Sequence, residues 1–196
     1  PQAAMGMFLG KYEGQLRPLP SKVITTGIES LKIINNYSQS KHYNLKAGPA
    51  LRYQYLENLK IKKRKKVKNI LVAVEGIPEA IRLIEEVAIQ KKQLRNYNIT
   101  IRTHKVLPWH KLKRYSSLKE SHFKHFNISE NVKLITDLKK NDLCIYWGST
   151  VSLEAGYMGL PLLNFDDNPY YSYDPLFMIK KLKWVFNNGA DIKKTI

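Results

Sequence analysis

The sequence predicts an α/β fold, a Rossmann-like open parallel sheet with helices on both faces. Apolar or β-branched runs alternate with segments of helical spacing along most of the chain. The run NILVAV at residues 69–74 is continuously apolar, which is typical of parallel strands covered on both faces. Glycine and proline separate many of these segments. This alternation favours parallel strands joined by helices.

The first part of the chain predicts a strand, a helix, a short extended segment and a second helix. The strand is rich in β-branched residues. It ends at Gly27, and a glycine suits a tight turn at that position. Isoleucine and leucine then recur at helical spacing. Pro49 suits the first turn of the second helix. The four segments are residues 23–26, 28–37, 44–47 and 50–61.

The rest of the chain predicts further strand–helix pairs. After the strand at 69–74, Pro78 opens a helix with one apolar face, and an alternating strand follows. A short strand then precedes a helix that follows Ser129. Next come an apolar strand, a short helix and another strand. A basic amphipathic helix is predicted after them. These later segments are residues 99–106, 122–128, 132–138, 143–147, 151–158, 162–165 and 177–188.

The composition is strongly basic, with 33 lysines and arginines against 16 aspartates and glutamates among 196 residues, for a net charge of +17. Such a field favours polyanions, anionic membrane surfaces or phosphorylated ligands. The single Cys144 excludes an internal disulfide framework and is expected in the core. No apolar run approaches the roughly 20 residues of a spanning helix, and no signal peptide is visible. Because the sequence begins at Pro1, we expect a fragment of a longer protein.

The densest run of positive charge is KIKKRKKVK at residues 60–68. It has three interpretations. The run is a solvated link between a helix and a strand, a contact for acidic lipid headgroups, or a nuclear or nucleic-acid patch. The sequence leaves all three open.

Candidate ligand-binding residues follow the predicted strands. In open parallel sheets, ligands bind beyond the carboxyl ends of the strands. Glycines, hydroxyls and cations at those positions suit a phosphate, since backbone N–H groups, short donors and positive charges all favour an anion. One further carboxylate lies one turn into the helix after the last of these turns. The candidates are Gly27, Glu75, Arg102, His104, Ser129, Gly148, Ser149, Thr150 and Glu154.

Several candidates have a second interpretation. Ser149 and Thr150 suit the N-cap of the following helix. Glu154 suits a ribose, through two accepted hydrogen bonds, or a solvent-facing first turn. His104 is either a neutral histidine against the sheet or a donor to a phosphate. The histidines show no metal-ligand spacing, so no metal site is predicted. Walker, dinucleotide and nucleophile-elbow motifs are absent, which disfavours ATPases, simple dehydrogenases and hydrolases.

Residues 147–161, WGSTVSLEAGYMGLP, resemble the donor-site helix of GT-B fold glycosyltransferases. Residues 48–56 and 20–27 resemble bacterial capsule and lipopolysaccharide biosynthesis enzymes. The resemblance implies the C-terminal, nucleotide-sugar-binding half of such an enzyme at residues 21–196, preceded by an interdomain connection or a remnant of an N-terminal domain at 1–20. It implies that Ser149 and Thr150 lie near the donor phosphate, that Glu154 binds the ribose, and that the backbone at Gly27 approaches the donor. Relatives that use CMP-sugars often carry a His-Pro pair after a mid-sheet strand, and this chain has His104-Lys105 there.

The same resemblance implies metal-independent glycosyl transfer without a cofactor. The donor is a CMP-, UDP- or GDP-sugar, and the acceptor is a saccharide or a lipid-linked sugar. In GT-B enzymes the base for the acceptor hydroxyl usually comes from the N-terminal domain, so this chain alone is expected to lack it. The implied place is the cytoplasm, with peripheral contact at the inner face of the plasma membrane. Two alternatives stay open, a basic nucleic-acid-binding module and a GT-B-shaped nucleotide-sugar epimerase.

Overall fold

The structure is a computed structural model that describes residues 20–37, 44–59, 66–167, 173–187, 189–190 and 192–195. Two compact units are present, Pro1–Leu59 and Lys60–Ile196. Almost all of the connection predicted at 1–20, and most of the basic run at 60–68, lie outside the described residues. The boundary between the units falls within the domain predicted at 21–196.

The first unit contains a two-stranded parallel sheet with a helix in the connection between its strands. Strand β1 (Val23–Thr26), helix α1 (Ile28–Tyr37) and strand β2 (Leu45–Gly48) have nearly the predicted bounds. The helix predicted at 50–61 is instead a short 3₁₀ helix, Leu51–Leu56, with the tighter hydrogen bonding typical of such pieces.

Gly27 closes β1 with a backbone conformation that favours glycine. Its φ is 91°, and its N–H donates to the carbonyl oxygens of Thr25 at 3.0 Å and of Gly48 at 2.9 Å. The tight turn predicted at Gly27 is confirmed. Both strands of this sheet belong to the first unit, so Gly27 is not among the loops of the larger sheet described next.

The second unit contains a six-stranded sheet in the order β5-β4-β3-β6-β7-β8. All neighbouring strands in it are parallel. The predicted Rossmann-like α/β fold is therefore confirmed. The strands are β3 (Asn69–Ala73), β4 (Asn98–Arg102), β5 (Asn127–Ser129), β6 (Leu143–Tyr146), β7 (Leu162–Phe165) and β8 (Lys183–Phe186). The helices are α2 (Ile81–Ile89), α3 (Trp109–Leu112), α4 (Leu134–Lys140), α5 (Val151–Tyr157) and α6 (Ile192–Thr195).

The central strands β3 and β6 are buried from end to end, apart from Asn69. Alternate residues of β3 and β6 pack with the apolar face of α2 in the main hydrophobic cluster. Cys144 is fully buried, as predicted, and burial raises the pKa of its thiol to about 12. Among the described residues, no helix is long and apolar enough to cross a bilayer.

The basic helix predicted at 177–188 is wrong, because this segment forms a turn and the edge strand β8. Leu182 has a φ of 56°, which a right-handed helix does not allow. Phe186 is buried and packs against Phe165 of the neighbouring strand, with ring centroids 5.2 Å apart. Pairing with β7 and burial of this ring override the helical pattern of the segment.

A buried charged network ties β8 to the centre of the sheet. The Asp174 carboxylate accepts a hydrogen bond from the Tyr146 hydroxyl at 2.8 Å and one from the Leu176 N–H at 2.8 Å. Its other oxygen lies 2.6 Å from Lys183 Nζ, and the two side chains are 3% and 10% exposed. The three elements β6, β8 and the connection before β8 are therefore held by one carboxylate.

A second network ties the end of the chain to α2. The Gln90 amide donates to the carbonyl oxygen of Ala190 at 2.7 Å and accepts from the Ile192 N–H at 2.9 Å. Glu86 accepts from Gln90 at 2.6 Å and from the Gly189 N–H at 3.2 Å. This network positions α6 on the sheet.

Glu85 predicts a pH dependence of stability. Burial by itself raises the pKa of this carboxyl, but hydrogen bonds from Ser116 and Ser117 outweigh it, and the pKa in the fold lies below the ordinary value. A depressed carboxyl pKa stabilises the fold above the unfolded-state pKa and loses that contribution as the pH falls through the folded-state pKa. We expect Glu85→Gln to lose less stability than the parent between neutral pH and pH of about 3, since the substituted side chain does not titrate. Urea unfolding of the parent and of Glu85→Gln at a series of pH values measures this difference. Parallel profiles of unfolding free energy against pH for the two proteins would contradict the expectation.

Candidate functional site

The order of the six strands creates a switch point between β3 and β6. From β3 the chain moves to β4 and β5 on one side, and it then returns to form β6 on the other side of β3. The connections that follow β3 and β6 therefore leave in opposite directions, and a crevice opens between them at the carboxyl ends. Glu75 and Gly76 follow β3, and residues 148–150 follow β6.

Glu75 and Gly148 meet at this crevice. Gly148 has a φ of 66°, and a Cβ added to it would lie 2.4 Å from Glu75 Oε1. The carboxylate therefore lies directly over the glycine, where no side chain fits. Burial raises the pKa of Glu75. The described part of the chain supplies no hydrogen bond to this carboxylate, so it is available to a ligand.

His104 packs on Gly76 at the neighbouring loop. A Cβ added to Gly76 would lie 2.6 Å from His104 Nδ1. The Val106 N–H donates to the same Nδ1 at 3.2 Å, which assigns the ring proton of the neutral form to Nε2. The histidine side chain is exposed rather than buried against the sheet. Nε2 is thus a donor at the rim of the crevice.

Ser149 and Thr150 differ in how they meet α5. Ser149 is buried, and its Oγ accepts a long hydrogen bond from the Val151 N–H at 3.4 Å. Thr150 occupies the N-cap position, but its side chain makes no capping hydrogen bond. The capping interpretation therefore fits Ser149 alone, and the Thr150 hydroxyl is left for another partner.

Glu154 is buried, with 5% of its surface exposed. The solvent-facing interpretation of this carboxylate is therefore excluded. It lies on α5, which packs against β6 and β7. A buried carboxylate on the helix that follows the switch-point loop is consistent with the ribose contact, which stays a prediction.

Arg102 and Ser129 converge on Asp137 of α4. The guanidinium lies 2.5 Å from Asp137 Oδ2 and also donates to the carbonyl oxygen of Val132 at 3.0 Å. The Ser129 hydroxyl donates to the same carboxylate oxygen at 2.6 Å. Both side chains therefore fasten β4 and β5 to α4. Their contact with a nucleotide stays a prediction.

Sequence reasoning missed an ion pair at the same end of the sheet. Arg82, in the first turn of α2, lies 2.8 Å from Asp167, which follows β7. The Asp167 side chain is 1% exposed, and neither of its oxygens has an aligned hydrogen-bond donor. The sequence did contain a signal for a polar site here, because two aspartates directly follow the strand LLNF at its carboxyl end. Among the described residues, no cluster of His, Cys, Asp and Glu that suits a metal ion is found.

The chain is similar in structure to several solved proteins. The GtfA/B complex aligns with a TM-score of 0.57 at 17% identity, over 87% of this chain and 35% of that one. The UDP-GlcNAc 2-epimerase of Methanocaldococcus jannaschii, in complex with UDP-GlcNAc and UDP, aligns with a TM-score of 0.57 at 17% identity, over 86% of this chain and 51% of that one. The pneumococcal O-GlcNAc transferase GtfA, in complex with UDP and GlcNAc, aligns with a TM-score of 0.50 at 14% identity, over 81% of this chain and 33% of that one.

These likenesses establish a fold. The chain contains the Rossmann-like half of a GT-B fold. It spans between a third and about half of the length of the three solved chains. No protein-family model and no curated protein matches the sequence. At these identities the likeness concerns the fold alone, so the function rests on the residues at the switch point.

Proposed function

We propose that this chain is the donor-binding half of a glycosyltransferase that acts in the biosynthesis of a surface polysaccharide or lipopolysaccharide. The observation that carries the proposal is the contact of Glu75 with Gly148 at the switch point of the sheet, beside His104, which packs on Gly76. The resemblance of residues 147–161 to a donor-site helix supports the same crevice. Two solved proteins with a related fold were crystallised with UDP or UDP-GlcNAc.

The crevice offers the groups that a nucleotide sugar requires. Gly148 allows the Glu75 carboxylate to approach the backbone of the loop, and the Thr150 hydroxyl and His104 Nε2–H are donors for phosphate oxygens. In this proposal Glu154 accepts hydrogen bonds from the ribose. Glu75, with its raised pKa, is protonated more readily than an exposed carboxyl, and a protonated carboxyl donates to an oxygen of the ligand.

The proposed reaction is transfer of a glycosyl group with a nucleoside phosphate as the leaving group. Negative charge develops on that phosphate in the transition state, and fixed donors at the crevice stabilise it. We place the base for the acceptor hydroxyl outside this chain. The acceptor is a saccharide or a lipid-linked sugar, and the place of action is the cytoplasmic side of the membrane.

A nucleotide-sugar epimerase is the second candidate, because the epimerase structure aligns as well as the GtfA/B complex does. An epimerase changes the sugar without any acceptor, whereas a transferase needs one. Incubation of the full-length protein with nucleotide sugars alone separates the two. Conversion to a second nucleotide sugar without acceptor favours the epimerase.

The proposal predicts that one class of nucleotide raises the melting temperature. We expect CMP, UDP or GDP, or the corresponding sugars, to stabilise the fold, by about 2.7 kcal/mol at a hundredfold excess over Kd. Glu154→Gln keeps the shape of the side chain and removes its charge, and Thr150→Val removes the hydroxyl. Each is expected to reduce the shift strongly. Thermal unfolding of each variant with and without nucleotide measures the effect.

Glu120→Gln is the matched control, because Glu120 is exposed and lies in the connection before β5. It should keep the full shift. A basic nucleic-acid module would instead show tight, steeply salt-dependent binding of DNA or RNA. No shift with any nucleotide, or equal shifts in Glu154→Gln and Glu120→Gln, would overturn the proposed site.

A further inference from the structure

The amino ends of the strands form a surface opposite the candidate site. In a parallel sheet all strands begin at one end and finish at the other. Hydrogen bonds connect the first residues of neighbouring strands. The Asn98 N–H donates to the carbonyl oxygen of Lys68 at 2.9 Å, and the Lys68 N–H donates to Asp142 at 3.1 Å. The starts of β3, β4 and β6 therefore lie side by side.

This end of the sheet is densely cationic. Exposed lysines and an arginine precede three neighbouring strands, two cations for each strand. None of them forms an ion pair with a carboxylate of the described part of the chain, and Asp142, which lies among them, accepts hydrogen bonds from backbone N–H groups. The six cations are Lys66 and Lys68 before β3, Lys92 and Arg95 before β4, and Lys139 and Lys140 before β6.

An apolar turn adjoins these cations at the edge of the sheet. It runs over residues 177–182 and ends where the Leu182 carbonyl oxygen accepts from the Leu162 N–H at 2.9 Å, which places it at the amino ends of β7 and β8. Met178 is 52% exposed and Ile179 is 46% exposed. The next two residues are the exposed Lys180 and Lys181. We call residues 177–182 the apolar turn.

The apolar turn and the strand after it expose several large apolar side chains close together in the sequence. Phe177, Leu182 and Trp184 are also exposed, so several large apolar side chains crowd within eight residues. Leu182 adopts a left-handed φ of 56° while more than half exposed, so the turn holds an unfavourable conformation with its side chain in solvent. An apolar cluster of this kind indicates a contact surface.

We propose that the amino end of this sheet docks on an anionic lipid bilayer, with the apolar turn entering the headgroup region and the surrounding cations lying against lipid phosphates. Apolar side chains beside lysines have the chemistry of interfacial membrane segments. A nucleic acid would pair with the cations and leave Met178 and Ile179 in water. A second copy would cover the turn but bring like charges together. This docking goes beyond the proposed function and does not depend on nucleotide binding.

Vesicle sedimentation with the whole chain tests the docking. We expect binding to phosphatidylcholine vesicles that contain phosphatidylglycerol, and little binding to phosphatidylcholine alone. Lys180→Ser/Lys181→Ser should weaken binding about thirtyfold, given the contribution of each basic residue near an anionic bilayer. Met178→Ser/Ile179→Ser should also weaken it without any change in charge. Both pairs are exposed, so the thermal unfolding of these variants should match that of the parent.

The matched control is Lys111→Ser/Arg114→Ser, which removes one exposed positive charge in α3 and one directly after it, beyond the carboxyl end of β4. It should bind vesicles nearly as well as the parent. Equal losses in the two charge variants would mean that net charge alone drives binding, and that overturns the docking surface. Absence of vesicle binding also overturns it. In that case, a loss of self-association or of nucleic-acid binding in the Met178→Ser/Ile179→Ser variant would assign the turn to a second copy or to a nucleic acid.

Discussion

Lys183→Met is expected to destabilise the second unit by about 3–5 kcal/mol, the usual effect of leaving one partner of a buried ion pair behind. The methionine keeps the length of the side chain and removes its charge. Asp174 then keeps its hydrogen bonds from Tyr146 and Leu176 but loses the Lys183 ammonium group. The edge strand β8 and the connection before it should loosen first, because Asp174 and Lys183 hold them to β6.

Urea unfolding followed by tryptophan fluorescence measures this change, since all three tryptophans lie in the second unit. Lys113→Met is the control, because its ion pair with Glu120 is exposed, and it should leave the midpoint unchanged. Lys183→Met/Asp174→Leu should recover part of the loss, because the buried carboxylate is removed together with the lysine. A midpoint for Lys183→Met equal to that of the parent would contradict the buried network.

Gly148→Ala is expected to abolish the nucleotide-dependent rise in melting temperature. The left-handed φ of this residue costs an alanine about 1–2 kcal/mol. The added methyl group would also meet the Glu75 carboxylate 2.4 Å away, so Glu75 or the loop must move. Either movement changes the position of the Glu75 carboxylate or of the loop in the crevice between β3 and β6. Calorimetry with the nucleotide found in the thermal screen measures the loss of binding.

Two variants separate backbone strain from the collision. Gly189 has a similar φ of 74°, and a Cβ added to it would have no neighbouring atom within 4 Å. Gly189→Ala should therefore lower the stability of the fold and keep nucleotide binding. Gly148→Ala/Glu75→Ala relieves the collision and should be more stable than the sum of the single changes predicts. Unchanged nucleotide binding in Gly148→Ala would refute the placement of the ligand at this crevice.

Local patterns were sufficient to predict the fold class. The strand β3 and the segments of β6, α5 and β7 are dense in apolar residues and bounded by glycine and proline, so their type follows from nearby sequence. The edge strand β8 was missed, because its four residues carry a helical pattern and are ordered by partners far along the chain. Tertiary pairing outweighs such a weak local preference.

The candidate site was predictable as a set of turns but not as a set of contacts. The carboxyl-end rule selected Glu75, His104 and the Gly148 loop. The meeting of Glu75 with Gly148 depends on β3 and β6 being neighbours, which no local pattern states. The bond of Arg102 with Asp137 joins residues 35 positions apart, so sequence reasoning counted this guanidinium as available for a ligand.

The hydrogen-bond network between α2 and the residues around the start of α6 also affects how the chain folds during synthesis. Gln90 and Glu86 bond with Ile192, Ala190 and Gly189, about a hundred positions later. Such distant partners slow folding, because a large loop must close before the contact forms. During synthesis the sheet is open at this point until the ribosome has released the residues that follow β8. Apolar surface around α2 is then exposed to chaperones and to neighbouring nascent chains.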